Sequence, residues 1–226
     1  MYDHEVWPLF QHHHNWFNKL WVAERYGYKC GPSGVAPTED GTYVIRPIYN
    51  LSGMGVGAHV KKIKAGDYHA VPAGYFWCEY LHGDHYSVNY KWKHSYYEGG
   101  SWEPVSSWKG VNYPVNLTKF VEWKRSNVMP SLKDYDMDVL YDAGEINVEF
   151  KGKSIIEVHL RHSPDPDYDK FIPVWESDTE PECSPSVYKL NVKCQHYLNE
   201  CGYEFLPDFD DGDGQLKDPR IGFLVK

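Results

Sequence analysis

Gly53, Gly55 and Gly57, in the run Arg46–Ala58, have the spacing of a backbone loop that closes on phosphate. Glycine lets a chain adopt positive φ and approach an anion closely. Three phosphate loops fit to different degrees. A P-loop ends in Gly-Lys-Ser/Thr, and the run does not. The dinucleotide fingerprint is matched as a string by Gly53-x-Gly55-x-x-Ala58. Its context is missing: Pro47–Ser52 separates the glycines from the preceding strand, and Ala58–Lys64 is too short and strand-like for the crossover helix. A strand–glycine loop–strand hairpin folding over a nucleotide fits both flanks. Without further support, an ordinary Gly-rich hairpin fits them equally.

A second group lies far downstream. Glu149 stands in one strand of an expected tight hairpin, and Glu157 and His159 lie two apart on the next. Residues two apart in a strand share a face. Two carboxylates with a third donor can seat Mg²⁺, with phosphate oxygens and water completing the octahedron. Arg161 continues that face and could hold a phosphate or carboxylate. The alternative is a solvated polar face. Ile155, Ile156, Val158 and Leu160 mark the hairpin as part of a buried sheet, so its acidic face is expected to line a cleft. A third group, Tyr75–Ser87, taken alone reads as a core strand with a polar turn, but could also supply an apolar slot for a purine beside Trp77, Cys78 and Glu79, with Asp84 just beyond. Asp208, Asp210, Asp211 and Asp213 resemble the opening of a calcium loop, but Pro219 stands where its closing Glu is needed. His12, His13 and His14 are consecutive, fan out on a helix and are expected to form a solvated face.

These groups need a fold to position them. The 226 residues suit one domain, or one with a small extension. An aromatic fraction of 16% argues against disorder. A net charge of −9 gives no general pull toward nucleic acid or an anionic membrane, although Lys61, Lys62 and Lys64 form a short basic stretch. No run is apolar enough to span a bilayer, and the N-terminus lacks a signal-peptide pattern, so a cytoplasmic protein is expected. Five cysteines without C-x-x-C spacing imply free thiols.

The spacing predicts a helix over 12–27 and strands at Thr42–Pro47, Ala58–Lys64 and Gly74–Leu81. Tyr86–Lys93 is expected to pair with the last as a hairpin. A Gly/Ser/Pro/Trp-rich loop over 95–115 and a strand at Lys119–Lys124 follow. A helix from Ser131 to Tyr141, a hairpin of Glu145–Phe150 and Ser154–Leu160, a helix within 187–200, an acidic loop at Asp208–Asp213 and a strand at Ile221–Val225 complete the reading. The fold class is α+β with a mostly antiparallel sheet and few helices.

Taken in order, the three groups resemble the ATP-grasp superfamily. The matching stretches are Val44–Pro47, Ser52–Gly57, Cys78–His85, Val148–Phe150 and Ile156–Arg161, within residues 42–165. The resemblance implies two small antiparallel-sheet subdomains clasping a nucleotide, preceded by an N-terminal helical segment (1–41) and followed by a C-terminal extension (166–226) packing on the same domain. It implies ATP and Mg²⁺, and a carboxylate–amine ligase working through an acyl phosphate on an unidentified substrate. The alternative is a nucleotide-binding protein without ligase activity. By position, Arg46 takes the place of the phosphate-binding Lys, and Ser52, Gly53, Met54, Gly55 and Gly57 the lid. Trp77, Cys78 and Glu79 take the adenine hinge, and Asp84 or Glu79 the ribose acid, since His85 occupies that place. Glu149, Glu157 and His159 would be metal ligands, His159 replacing Asn, and Arg161 would meet the transferred phosphoryl group. The short stretch before the first motif resembles pared-down, phage-encoded versions.

Overall fold

The computed structural model describes residues 1–51, 55–95, 99–113, 116–179, 190–210, 214 and 216–226. Ser52, Gly53, Met54, Cys183, Asp211 and Asp213 lie outside them. Among the described residues, twelve strands form two antiparallel sheets. The small sheet has the order β1-β4-β2-β3, from Cys30–Pro32 (β1), Gly41–Pro47 (β2), His59–Ile63 (β3) and Tyr75–Glu79 (β4). The large sheet takes β5 (His85–Ser95), β6 (Gly99–Asn112), β7 (Phe120–Arg125), β8 (Glu145–Lys151) and β9 (Ser154–His159). It continues with β10 (Lys170–Trp175), β11 (Glu204–Asp210) and β12 (Arg220–Val225). Its order is β11-β12-β10-β7-β6-β5-β8-β9. Helices are few and short: α1 (Asp3–Val6), α2 (Lys19–Arg25) and α3 (Val192–Glu200). Among the described residues, no helix is long and apolar enough to cross a membrane. Cys30, Cys78, Cys194 and Cys201 are free thiols.

The period-two alternation of the central strands divides the large sheet into two chemically different faces. Val88 pairs with Val148 and Tyr90 with Ile146, and Val158 continues the row. These side chains, with Phe150, Ile155 and Leu160, pack against Val6, Trp16, Phe17, Val22, Met137 and Leu140 in the main core. The intervening residues, Ser87, Asn89, Asn147, Glu149, Glu157 and His159, face the other way. The Asn147 amide donates to Ser87 Oγ and Asn89 Oδ1 at 2.9 Å each, so the buried polar row is internally satisfied.

Several elements depart from expectation for identifiable reasons. The helix expected over 12–27 is two pieces, a 3₁₀ turn at Gln11–Phe17 and α2. Asn18 between them is extended and accepts a 2.9 Å bond from Trp21 N, acting as the N-cap of α2. The helix expected from Ser131 is replaced by 3₁₀ turns at Lys133–Tyr135 and Asp138–Ala143. The Pro130 carbonyl there accepts from Tyr90 Oη (2.7 Å), and the Met137 carbonyl accepts both from Leu140 N in the turn (3.0 Å) and from Trp102 Nε1 (2.9 Å). The expected 95–115 loop is largely β6, the longest strand described. Gly100 and Gly110 in it lie under aromatic rings: a Cβ on Gly100 would stand 2.3 Å from the Trp92 ring, and one on Gly110 2.7 Å from the Phe120 ring. Pro104 falls beside the register shift at Asn89/Tyr90, where a missing donor is tolerated. The expected acidic loop begins as β11, whose Asp208 and Asp210 approach Arg220 at 2.7 and 3.8 Å.

β4 and β5 do not form the expected hairpin. β4 pairs with β1 and β2, whereas β5 pairs with β6 and β8 in the other sheet. The chain crosses between sheets at Tyr80–Asp84. Gly83 has φ +119°, and a Cβ there would lie 2.7 Å from Gly152 Cα in the β8–β9 turn. The Gly152 N–H donates to the Asp84 carbonyl at 2.8 Å, locking the crossing to that turn. Gly83→Ala is therefore expected to lower unfolding free energy by about 1–3 kcal/mol. Urea denaturation measures it, and a loss within about 0.5 kcal/mol, typical of an indifferent surface change, would contradict this account.

Candidate active site

A cavity of about 230 Å³ lies between the small sheet and the polar face of the large one. Val44 and Arg46 of β2, Cys78 and Glu79 of β4, and Tyr80 and Leu81 of the crossing line one side. His85, Asn147, Glu149, Lys151, Glu157, His159 and Arg161 line the other, and Gly55, Val56 and Ala58 border it. Gly55 and Gly57 have φ of +61° and +80°. A Cβ on Gly55 would sit 3.4 Å from Thr118, so the described part of the glycine loop leans on the segment after β6.

The floor is a set of buried charges. Glu149 and Glu157 are register partners across the β8–β9 hairpin, and Asn147 pairs with His159. The His159 ring spans two groups of acids. Its Nδ1 lies 2.7 Å from Asp3 Oδ2, and its Nε2 lies 3.8 Å from Glu149 Oε1 and 3.7 Å from Glu157 Oε1. Arg161 Nε reaches the other Asp3 oxygen at 2.8 Å. Lys19 Nζ, from α2, ion-pairs with Glu157. His85 Nε2 lies 3.1 Å from Glu149 Oε2.

These contacts set the protonation states. Burial opposes charge on His159, but the Asp3 carboxylate outweighs it by charge and hydrogen bond, pushing the imidazole up to about 9 against the opposing Arg161. Burial would raise Asp3, and the His159 charge and hydrogen bond, with Arg161, hold it below the usual range. Burial likewise opposes the Glu149 charge, and hydrogen bonds from His159 and His85 hold that carboxyl well below its ordinary value. Burial lowers Lys151, whose amine lies 3.3 Å from Asn112 Oδ1. Burial raises Asp165 farther along the wall, against the opposing Arg220.

Of the residues singled out in the sequence, Arg46, Gly55, Cys78, Glu79, Glu149, Glu157, His159 and Arg161 meet at this one cavity. The Arg46 guanidinium crosses from β2 to donate to the Ile156 carbonyl of β9 at 2.5 Å, joining the two sheets. Gly57 packs against Tyr75, where a Cβ would lie 2.5 Å from the hydroxyl. Trp77 points away, its indole N–H donating to the Val35 carbonyl at 2.7 Å within the small-sheet core. Asp84 is exposed and paired with Lys109 at 2.8 Å. Glu79 lines the cavity and accepts from Lys29 N at 2.7 Å. Asp3, Lys19, His85 and Lys151 were not singled out as members of this set. Lys151 had a local signal, as the residue opening a turn beside Glu149. Asp3 and Lys19 had none, because only tertiary packing brings them here.

The donor set fits a divalent cation. The donor atoms of Asp3, Glu157 and His159 lie within 4.8 Å of one another, two carboxylates with an imidazole, and Glu149 Oε1 stands 3.8 Å from His159 Nε2 beside them. An ion entering there would displace Lys19 from Glu157 and the proton shared by His159 Nε2.

No protein-family model matches the chain, and no curated protein does. Solved structures do. One is the N5-carboxyaminoimidazole synthase of Aspergillus clavatus, in complex with ADP and 5-aminoimidazole ribonucleotide. It aligns over 98% of this chain and 72% of its own with a TM-score of 0.51 and 9% identity. The L-amino acid ligase of Bacillus licheniformis matches at a TM-score of 0.44 and 11% identity over 66% of this chain. The ATP-grasp ligase PsnB, complexed with a minimal precursor, matches at 0.40 and 14% over 68%. The chain spans only 41% and 54% of these last two. The likeness to the Aspergillus clavatus synthase is one of fold, ATP-grasp-like and α+β, with two antiparallel sheets and few helices.

The raised His159 gives a signed pH dependence. Its contribution to stability is fully present below its unfolded value of 6.5 and is lost as pH rises through about 9. In metal-free buffer, unfolding free energy should fall over that window, and His159→Gln should flatten the fall. Parallel wild-type and variant profiles would refute this. Asp3→Asn, which leaves Arg161 and His159 short of their buried counter-charge, should cost about 3–5 kcal/mol.

Proposed function

We propose that the chain is an ATP- and Mg²⁺-dependent ligase of the carboxylate–amine type, acting through an acyl phosphate. The observation that carries this reading is the convergence of Glu149, Glu157 and Arg161 with Arg46 and the Gly55–Ala58 border at one cavity of an ATP-grasp-like fold. The ADP bound in the Aspergillus clavatus neighbour supports a nucleotide.

In this reading the backbone of Cys78–Leu81 meets the adenine edge, and Glu79 serves the ribose hydroxyls. Trp77 then contributes by holding β4 rigid, and Asp84 by fixing the crossing. Ser52, Gly53, Met54, Gly55 and Gly57 form the lid. Glu149 and Glu157, with His159 Nε2 as third donor, would hold Mg²⁺, which would supply charge neutralisation at the phosphates. Arg46 and Arg161 place fixed positive charge where the phosphoryl group transfers. A substrate carboxylate oxygen attacks the γ-phosphorus and ADP leaves; an amine then attacks the acyl carbon and inorganic phosphate leaves. Lid closure excludes the water that would otherwise hydrolyse the acyl phosphate.

A second reading, nucleotide binding without ligation, is favoured by one observation. Glu157 already has Lys19 and Glu149 already has His85 as partners, so the acids are balanced without a metal.

Thermal-shift and calorimetric titration with Mg-ATP, followed by ADP release over a panel of carboxylate and amine substrates, separates the readings. The ligase reading expects binding and acceptor-dependent ADP release, with Glu157→Gln lowering turnover by roughly 100-fold or more. Gly55→Val should weaken Mg-ATP binding by about tenfold, or 1.4 kcal/mol. Binding without ADP release supports the second reading, and absence of binding overturns both.

A further inference from the structure

Of the three consecutive histidines, His14 diverges as expected, but His12 and His13 do not. All three lie in the 3₁₀ turn Gln11–Phe17, where two of them converge on a residue far away in sequence. His12 Nε2 lies 2.7 Å from Asp142 Oδ2, and His13 Nε2 lies 2.7 Å from Asp142 Oδ1. The two rings stand with centroids 4.0 Å apart. His14 turns the opposite way, stacking on Trp7 at 3.6 Å and bonding its carbonyl. Asp142 sits in the 3₁₀ turn Asp138–Ala143, whose Leu140 is part of the main core.

We propose that His12, His13 and Asp142 form a second metal centre, which takes a borderline transition ion such as Zn²⁺ and staples the N-terminal segment to the body of the fold. Two imidazoles and a carboxylate are a donor set for Zn²⁺, whereas Mg²⁺ and Ca²⁺ favour oxygen. The ligand atoms lie within 4.8 Å of one another. A tetrahedral ion with bonds of about 2.0–2.2 Å holds its ligands roughly 3.3–3.6 Å apart, so the nitrogen–oxygen pairs, now at 2.7 Å, need open by about 0.6–0.9 Å. The geometry permits this. The His12 side chain is 62% exposed and can swing, while His13 at 11% and Asp142 at 33% are held by the surrounding chain. Solvent on the His12 side gives the ion a path in and supplies the fourth ligand as water. Among the described residues, no lysine or arginine ion-pairs with Asp142, so no fixed cation competes for the carboxylate.

The staple has a consequence for the cavity. His12 and His13 lie between Asp3 and Lys19, the two N-terminal residues whose charges balance His159, Arg161 and Glu157. Fixing the middle of that segment restrains both ends. The centre itself does not depend on the nucleotide reading, because its donors and its ion differ from those of the cavity.

The test uses the full chain stripped of metal with chelator. Calorimetric titration with ZnCl₂ and thermal unfolding with and without it should show one equivalent bound at this centre and a rise in Tm, as binding to the folded state alone requires. Any rise that MgCl₂ gives through the cavity should be unaffected by His13→Ala and Asp142→Asn, whereas the ZnCl₂ rise should shrink in both. Co²⁺ should give visible ligand-field bands on the wild-type chain, a readout that needs no variant to fold. His13→Ala and Asp142→Asn should each weaken Zn²⁺ binding at least about tenfold, a loss of 1.4 kcal/mol. The exposed His69→Gln should leave it unchanged. No Zn²⁺-dependent shift in the wild type, or a shift that survives both variants, overturns the proposal.

Discussion

Asp3 holds His159 with one carboxylate oxygen and Arg161 with the other, on the buried polar face of the large sheet. Much of the site depends on that double contact. A sheet face carrying Glu149, Glu157, His159 and Arg161 cannot be covered by another layer unless each charge is met. Asp3 meets two of them, Lys19 meets Glu157, and His85 meets Glu149. The N-terminal segment is therefore fastened in two ways. Val6, Trp16, Phe17 and Val22 seal the apolar core, while Asp3 and Lys19 reach the opposite chemistry at the sheet's edge strand. Removing either kind of contact leaves the other with buried groups lacking partners.

How much of this was legible in the sequence follows from distance along the chain. The β8–β9 hairpin could be read because alternation is local and Lys151-Gly152-Lys153 marks its turn. With the hairpin came the shared face of Glu149, Glu157 and His159. The ion partners could not be read, since Asp3 and Lys19 approach from the other end of the molecule. β6 was hidden for a related reason. Gly100 and Gly110 look like loop glycines in sequence, yet each makes room for an aromatic ring from a neighbouring strand. The crossing at Gly83 was hidden because a tight turn between two aromatic strands looks the same whether the strands pair or part. The histidine run was misjudged on side-chain reach: backbone directions diverge there, but the His12 and His13 arms bend toward a common carboxylate.

Among the described residues, two contacts that join the sheets lie at the cavity, and a third lies at the crossing. Arg46 crosses to the Ile156 carbonyl, Gly83 is locked against Gly152, and Gly55 leans on Thr118. The Arg46 contact is the one a ligand could exchange without disturbing the backbone. Its guanidinium lies over Phe76 at 5.4 Å, and that stacking survives loss of the carbonyl bond. The crossing at Gly83 is backbone-to-backbone and does not have that freedom. The arrangement separates a fixed seam from an exchangeable one.

That distinction bears on what a nucleotide would do here. The floor as it stands matches Asp3, Glu149 and Glu157 against Lys19, Arg161 and His159, with no surplus of either sign among these six. Phosphates entering with a divalent cation bring both signs at once, so the balance can be kept only by exchanging partners. Lys19 is suited to that exchange: it sits on a short helix, contacts a single carboxylate oxygen and carries a long flexible stem. A cation on Glu157 would release the Lys19 ammonium toward the phosphates that accompany it. Asp3, committed to two partners with both oxygens, has no such latitude and would remain the fixed point around which the other charges rearrange.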